Sequence, residues 1–156
     1  MRVRLVAAGT RAPAWVAAGY AEYAKRMPAE TPLELKEIAV ARGGGAGDGA
    51  RALKEEGMRM LAQVPAGSYV AALDVGGRAY DTPGLARWWA KRLADGRDLV
   101  LLVGGPDGLA PAALARADER LSLSALTFPH TLARILVAEQ LYRASSLLRG
   151  HPYHRA

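Results

Sequence analysis

The chain contains no cysteine, which excludes disulfides, thiolate nucleophiles and thiolate metal ligands and removes any need for an oxidising compartment. Histidine is scarce too. His151 and His154 stand three residues apart, but only His130 and scattered carboxylates remain as further ligands, so no metal site is expected. No apolar run approaches the ~20 residues of a membrane-spanning helix. The N-terminus is briefly basic and then apolar to Gly9, but Arg11 and Pro13 break it too soon for a signal peptide, so the expectation is a cytoplasmic protein with no membrane contact. Three familiar signatures are also missing. Only Gly9 follows the first apolar strand where a dinucleotide fingerprint needs a run of glycines. The glycine-rich stretch 43–49 lacks the Gly-Lys-Ser/Thr ending that would put a lysine on phosphate, and reads as a flexible or RNA-facing loop. No Gly-x-Ser-x-Gly nucleophile elbow occurs.

What is present describes one globular domain, residues 1–156, with 51% hydrophobic and 23% charged residues. The formal charge of +6 and pI near 10.0 favour a polyanionic partner such as nucleic acid. The basic residues are mostly arginine, with lysine only at Lys25, Lys36, Lys54 and Lys91, and they are spread along the chain. GC-rich coding would produce the same Ala/Gly/Arg bias without RNA, so charge alone does not decide the partner.

Hydrophobic periodicity orders the chain as βαβαβαβαβα, which predicts an α/β fold with a mainly parallel sheet and helices on both faces. Strands are expected at 2–8, 33–40, 69–75 (ending at Gly76-Gly77), 99–103 and 120–123. Helices are expected from Pro13 to about Met27, over 50–64, from Asp81-Thr82-Pro83 to Asp95-Gly96, around 110–117, and from Thr131 to Leu148. In the second helix Met58 and Met60 read as core packing. In the third, the adjacent Trp88 and Trp89 cannot share one core stripe, which places one at an edge or interface. In the last, Leu132, Ile135, Leu136, Glu139, Tyr142 and Ser146 recur at helical positions, and Glu139 precedes Arg143 at the favourable ion-pair spacing. Asp74, at a strand end, reads as a backbone or ribose acceptor before it reads as a catalyst.

The stretch 99–130 holds the candidate site. A wholly apolar strand runs into Gly104-Gly105-Pro106-Asp107-Gly108, and a second strand runs into Ser124-Ala125-Leu126-Thr127-Phe128-Pro129. In open α/β sheets, ligands bind outside the carboxyl ends of strands. Nearly bare backbone there could read an adenine edge without charged side chains. The same glycines could equally form only a tight turn, and spacing leaves both readings open.

Three segments in order carry a resemblance: 104–109, Ser122 to His130, and the tail His151-Pro152-Tyr153-His154-Arg155. Together with the opening Leu5 to Thr10, they resemble the bacterial large-subunit ribosomal RNA pseudouridine N3-methyltransferases, the RlmH type of the SPOUT superfamily. The likeness covers essentially the whole chain. Two departures are conservative: Asp107 stands where the family more often has Glu, and Phe128 where it more often has Leu. The resemblance implies a C-terminal trefoil knot, an exception to the near-absence of knots, with S-adenosylmethionine in the knot loops. Its contacts would be Leu73, Gly104, Gly105, Leu123, Ser124, Ala125, Leu126, Thr127 and Phe128. It further implies a homodimer joined through the long last helix, acting on 23S ribosomal RNA in the assembled ribosome. Arg155 would stabilise the deprotonated base, His154 is the candidate proton acceptor, and Tyr153 would orient or stack the base. The rival from another class is a non-catalytic basic RNA- or ribosome-binding protein, which would not bind S-adenosylmethionine. A nucleotide-binding regulatory module is weaker still, for want of a phosphate motif.

Overall fold

The computed structural model describes residues 1–40 and 48–154. The elements are β1 (Val3–Ala8), α1 (Ala14–Ala24), β2 (Leu33–Ile38), α2 (Asp48–Leu61), β3 (Tyr69–Ala79), α3 (Thr82–Asp95), β4 (Leu99–Val103), α4 (Pro111–Arg116), β5 (Glu119–Ser122) and α5 (His130–Leu148), with a final 3₁₀ turn at Pro152–His154. The five strands pair in parallel throughout, in the order β2-β1-β4-β3-β5. Most of the glycine-rich stretch 43–49 and the tail residue Arg155 lie outside the described residues.

Side-chain alternation along the central strands builds the two cores. Val3, Leu5, Ala7, Leu99, Leu101 and Val103 face one side and join α1, α3 and α5, while Val6, Ala8, Val100 and Leu102 face the other and join α2 and α4. β4 is buried at every position, as its uninterrupted apolar sequence predicts for a central parallel strand.

Four expectations need correction. β3 does not stop at Gly76-Gly77 but runs on to Ala79 through a bulge, so that Leu121 of β5 faces both Leu73 and Arg78. Gly77 permits this: a Cβ there would lie 2.6–2.8 Å from the backbone of Arg120 and Leu121. Trp88 and Trp89 are both buried, because α3 is clasped on two sides. Trp88 packs among Leu73, Leu85 and Val137 and donates Nε1–H to Glu119 at 2.6 Å, while Trp89 turns toward Pro28, Ser145 and Leu148. Met60 is core, as expected, but Met58 is exposed, one residue off the inward arc set by Ala52, Glu56, Gly57 and Met60. The inner face of α5 is Ala133, Arg134, Val137, Ala138, Leu141 and Ala144, leaving Leu132, Ile135, Leu136 and Tyr142 only half-buried. That helix spreads its apolar and polar residues over every side, so periodicity could not choose its face.

α3 shows how local sequence sets an element. Asp81 caps its start, accepting from Gly84 N–H at 2.7 Å beside Pro83, and Gly96 ends it at φ +75°.

Candidate active site

Connections leave β1 and β4 in opposite directions across the sheet, so the fold's topological switch point lies between these neighbours. Arg134 from the second turn of α5 reaches the carboxyl ends of β1 and β2 beside it. Its Nη2 donates to the carbonyls of Ala8 at 3.2 Å and Gly9 at 2.6 Å, at the carboxyl end of β1, and its Nη1 donates to Glu37 Oε2 at 2.8 Å. The residue is 1% exposed. Open space lies toward the ends of β4, β3 and β5.

That space is a cavity of about 470 Å³ at the carboxyl ends of these strands. Leu73 closes it on one side, Gly104 and Gly105 on another, and Leu123, Ser124, Leu126, Thr127 and Phe128 on a third. Eight of the nine sequence-nominated contacts therefore converge; Ala125 belongs to the same loop but is not among the lining residues. The turn is compact because Gly108 N–H returns to Gly105 C=O at 3.0 Å across Pro106-Asp107, proline presetting the first corner. A Cβ on Gly104 would lie 2.5–2.9 Å from the backbone of Gly108 and Leu109, so this position has no room for a side chain. The opposite loop is held by serine. Ser122 Oγ donates to Ser124 C=O and Ser124 Oγ accepts from Leu126 N–H, each at 3.0 Å. Among the described residues, the N–H groups of Ala125, Thr127 and Phe128 enter no helix, strand or turn hydrogen bond, and so remain available to a ligand. Asp74 accepts from Gly76 N–H at 3.2 Å and pairs with Arg120 at 3.6 Å, which favours its plain structural reading.

Sequence reasoning missed His130 and Arg134. His130, the first residue of α5, lines the cavity; burial, then the nearby Arg134 charge, hold its imidazole below the ordinary histidine range. Gly9 at φ +115° lies against both side chains. The only signal available for Arg134 was a cation inside an otherwise apolar helical arc.

Of the nominated tail, Tyr153 is not brought to this cavity within the chain. Tyr153 folds back on the flank of α5, donating O–H to Glu139 Oε1 at 2.9 Å and resting 4.5 Å, centroid to centroid, from Tyr142. Glu139 also accepts from Arg143 Nη2 at 2.7 Å, the expected ion pair. Burial first, then the hydrogen bond to Glu139, push the Tyr153 phenol up to about 12, so it is a hydrogen-bond donor at neutral pH and not a base. Glu139 lies nine residues beyond His130, about 13 Å along the helix at ~1.5 Å per residue. Among the described residues, no three metal-ligating side chains cluster and no helix is long and apolar enough to cross a membrane.

Comparison with known proteins decides what kind of chain this is. A family model described as "Predicted SPOUT methyltransferase" matches residues 1–154. The chain belongs to the SPOUT methyltransferase family. Curated SPOUT relatives that it resembles include the protein named ribosomal RNA large subunit methyltransferase H of Alkalilimnicola ehrlichii, 60% identical over 156 residues and covering all of both chains. The protein of the same name from Thioalkalivibrio sulfidiphilus is 56% identical over 155 residues, 99% of each. Among solved structures, a probable rRNA-methyltransferase from Porphyromonas gingivalis aligns with TM-score 0.56 at 13% identity, covering 95% of this chain and 69% of that one. A probable methylase family protein from Haemophilus influenzae aligns at 0.53 and 13%, covering 99% and 70%. At such identities these two speak for the SPOUT fold alone.

Proposed function

We propose that this chain is a ribosomal RNA methyltransferase that takes its methyl group from S-adenosylmethionine and places it on N3 of a pseudouridine in large-subunit RNA. The observation that carries the reading is the glycine-walled cavity at the ends of β3, β4 and β5. Its volume suits a small-molecule site. Free N–H groups on the 125–128 loop and the bare Gly104-Gly105 backbone supply polar contacts without charge. Residues 73–76, 104–109 and 123–128 are then the cofactor loops, with the family's knot formed by the last of them. When bound, S-adenosylmethionine supplies an electrophilic methyl on a sulfonium, and the transfer is an in-line displacement.

The protein's own share is mainly positioning. A pseudouridine N3 carries an imide proton that must leave before the nitrogen can attack, and the resulting charge spreads over the flanking carbonyls. Arg155 is assigned to stabilise that charge. Tyr153, kept protonated, orients the base by donating a hydrogen bond. His154 is the candidate acceptor; an ordinary imidazole of pKa about 6.5 is a weak base for an imide, so release of the proton to water is the competing route. Because Tyr153 sits on α5 well away from its own cavity, the tail serves the cavity of a second copy, and the half-buried apolar face of α5 (Leu132, Ile135, Leu136) is the surface through which the two copies pair.

Truncation after Gly150 tests this division of labour. Methylation of ribosomes should vanish while calorimetric affinity for S-adenosylmethionine is retained; loss of both together overturns it. Mixing the truncated chain with a Gly104→Ala chain should restore part of the activity only if each site draws on two subunits. A full-length chain that fails to bind S-adenosylmethionine would instead favour a non-catalytic RNA-binding protein.

A further inference from the structure

A second cavity, of about 440 Å³, opens on the outer side of α3 where β3 and β5 begin, at the open edge of the sheet. Four cations line it: Arg78, Arg87, Lys91 and Arg92. Arg92 is only 6% exposed, yet its Nε and Nη1 have no hydrogen-bond partner; its nearest carboxylate, Asp95, is 4.0 Å away. Leaving a buried guanidinium unsatisfied costs free energy unless something else fills its donors. Among the described residues, Arg87 and Lys91 have no ion-pair partner and are exposed. The two acids in the wall are already committed. Asp118 Oδ2 accepts from Val70 N–H at 2.8 Å, and the Glu119 carboxylate accepts from Tyr69 at 3.0 Å, Tyr80 at 2.6 Å and Trp88 at 2.6 Å. Four cations against two carboxylates leave an excess of two positive charges.

The aromatic wall narrows the ligand class. Tyr69 and Tyr80 each have a ring face covered by a guanidinium, Arg92 at 3.7 Å and Arg78 at 4.9 Å from the centroids. A guanidinium thus already stacks on each tyrosine ring, whereas Arg87 and Lys91 carry no ion pair among the described residues. Such a wall recognises a phosphate and not a nucleobase. Position adds a second constraint. Glu119 of this cavity and Ser122 of the cofactor cavity are three residues apart on one strand, about 10 Å at ~3.3 Å per residue.

We infer that the basic cavity between α3 and the β5 edge is a phosphate-binding subsite, holding the backbone of the substrate RNA next to the nucleotide presented to the methylation site. The inference rests on the proposed RNA methylation. It assigns Arg87 and Lys91 as the exposed arms that capture the phosphate and Arg92 as the fixed donor behind them. Contacts of this kind position the RNA without reading its sequence.

The experiment measures binding of a short single-stranded oligoribonucleotide to the full-length protein across a salt titration. The Arg87→Ala/Lys91→Ala pair is compared with Arg51→Ala/Lys54→Ala, which removes equal charge from exposed positions on α2, across the sheet. The pocket pair is expected to weaken RNA binding about tenfold at 0.1 M salt and to lower the salt-dependence slope by about 1, while the control pair changes affinity less than about twofold. Affinity for S-adenosylmethionine should be the same in all three proteins, which also reports that each is folded. Equal effects from both pairs would mean diffuse charge and would overturn the subsite. So would a pocket pair that weakens binding of inorganic phosphate but leaves RNA affinity untouched, since the cavity would then serve a free anion. Methylation of ribosomes by the unaltered protein is measured alongside. Its failure would remove the proposed function, whereas intact methylation with an unaffected pocket pair would remove only the subsite.

Discussion

Replacing Arg134 by methionine tests the contact that ties α5 to the end of β1. Methionine keeps the length and apolar body of the side chain but removes both carbonyl bonds at the end of β1 and the bond to Glu37. Hydrogen bonds from charged donors are worth about 1.5–3 kcal/mol each. The Glu37 partner is 37% exposed, so its share is screened and falls within about 1 kcal/mol. The two carbonyl bonds at the low end of their range give about 3 kcal/mol, reduced somewhat because Nε is already unsatisfied and methionine relieves it. For a chain of this size that corresponds to a fall in Tm of about 6–12 °C. Urea and thermal unfolding should show this loss for Arg134→Met and a loss below about 1 kcal/mol for Glu37→Gln. Because His130 and Ala133 on the same stretch of α5 line the cavity proposed for S-adenosylmethionine, affinity for it should weaken as well. A loss under about 1 kcal/mol for Arg134→Met, or equal losses for the two variants, would refute the assignment of the energy to the β1 carbonyls.

Three further outcomes are expected. Gly104→Ala forces a methyl against the Gly108–Leu109 backbone, and the displaced loop should weaken S-adenosylmethionine binding about tenfold by calorimetry, equivalent to ~1.4 kcal/mol. Glu119→Gln gives three donors one neutral amide oxygen and an opposing NH₂ group, and should destabilise the chain by about 2 kcal/mol in urea titrations. His130 has a depressed pKa when folded, so the unfolded chain binds the proton more readily, and stability is lost as pH falls through about 6.5 and below. His130→Gln should remove that part of the acid sensitivity in melts compared at pH 7.5 and pH 5.

The alternation of strands and helices was legible because parallel strands buried on both faces leave uninterrupted apolar runs such as 99–103, and because Asp81-Thr82-Pro83 and Gly96 mark their helix chemically. The cavity-lining loops were legible for a different reason: glycines clustered at a strand end mark a turn or a bare backbone wall, and both occur at 104–108. What failed were questions of facing. α5 spreads its apolar and polar residues over every side, so its inner arc is chosen by α1, α3 and the sheet and not by its own pattern. The bulge at 74–77 was hidden because Gly76-Gly77 marks a strand end and a close backbone approach equally well. Arg134 and His130 were invisible because their role depends on β1 and β4, more than twenty residues away in sequence.

The contact formed by Arg134 also has a consequence for how the protein comes into being on the ribosome. Every wall of the cavity at the ends of β3, β4 and β5 comes from residues 73–133, and the Arg134 contact with β1 lies just beyond them. β1 and β2 are translated first, but the end of β1 lacks that contact until α5 has emerged and docked. A nascent chain therefore carries all five strands before α5 closes the last wall of that cavity.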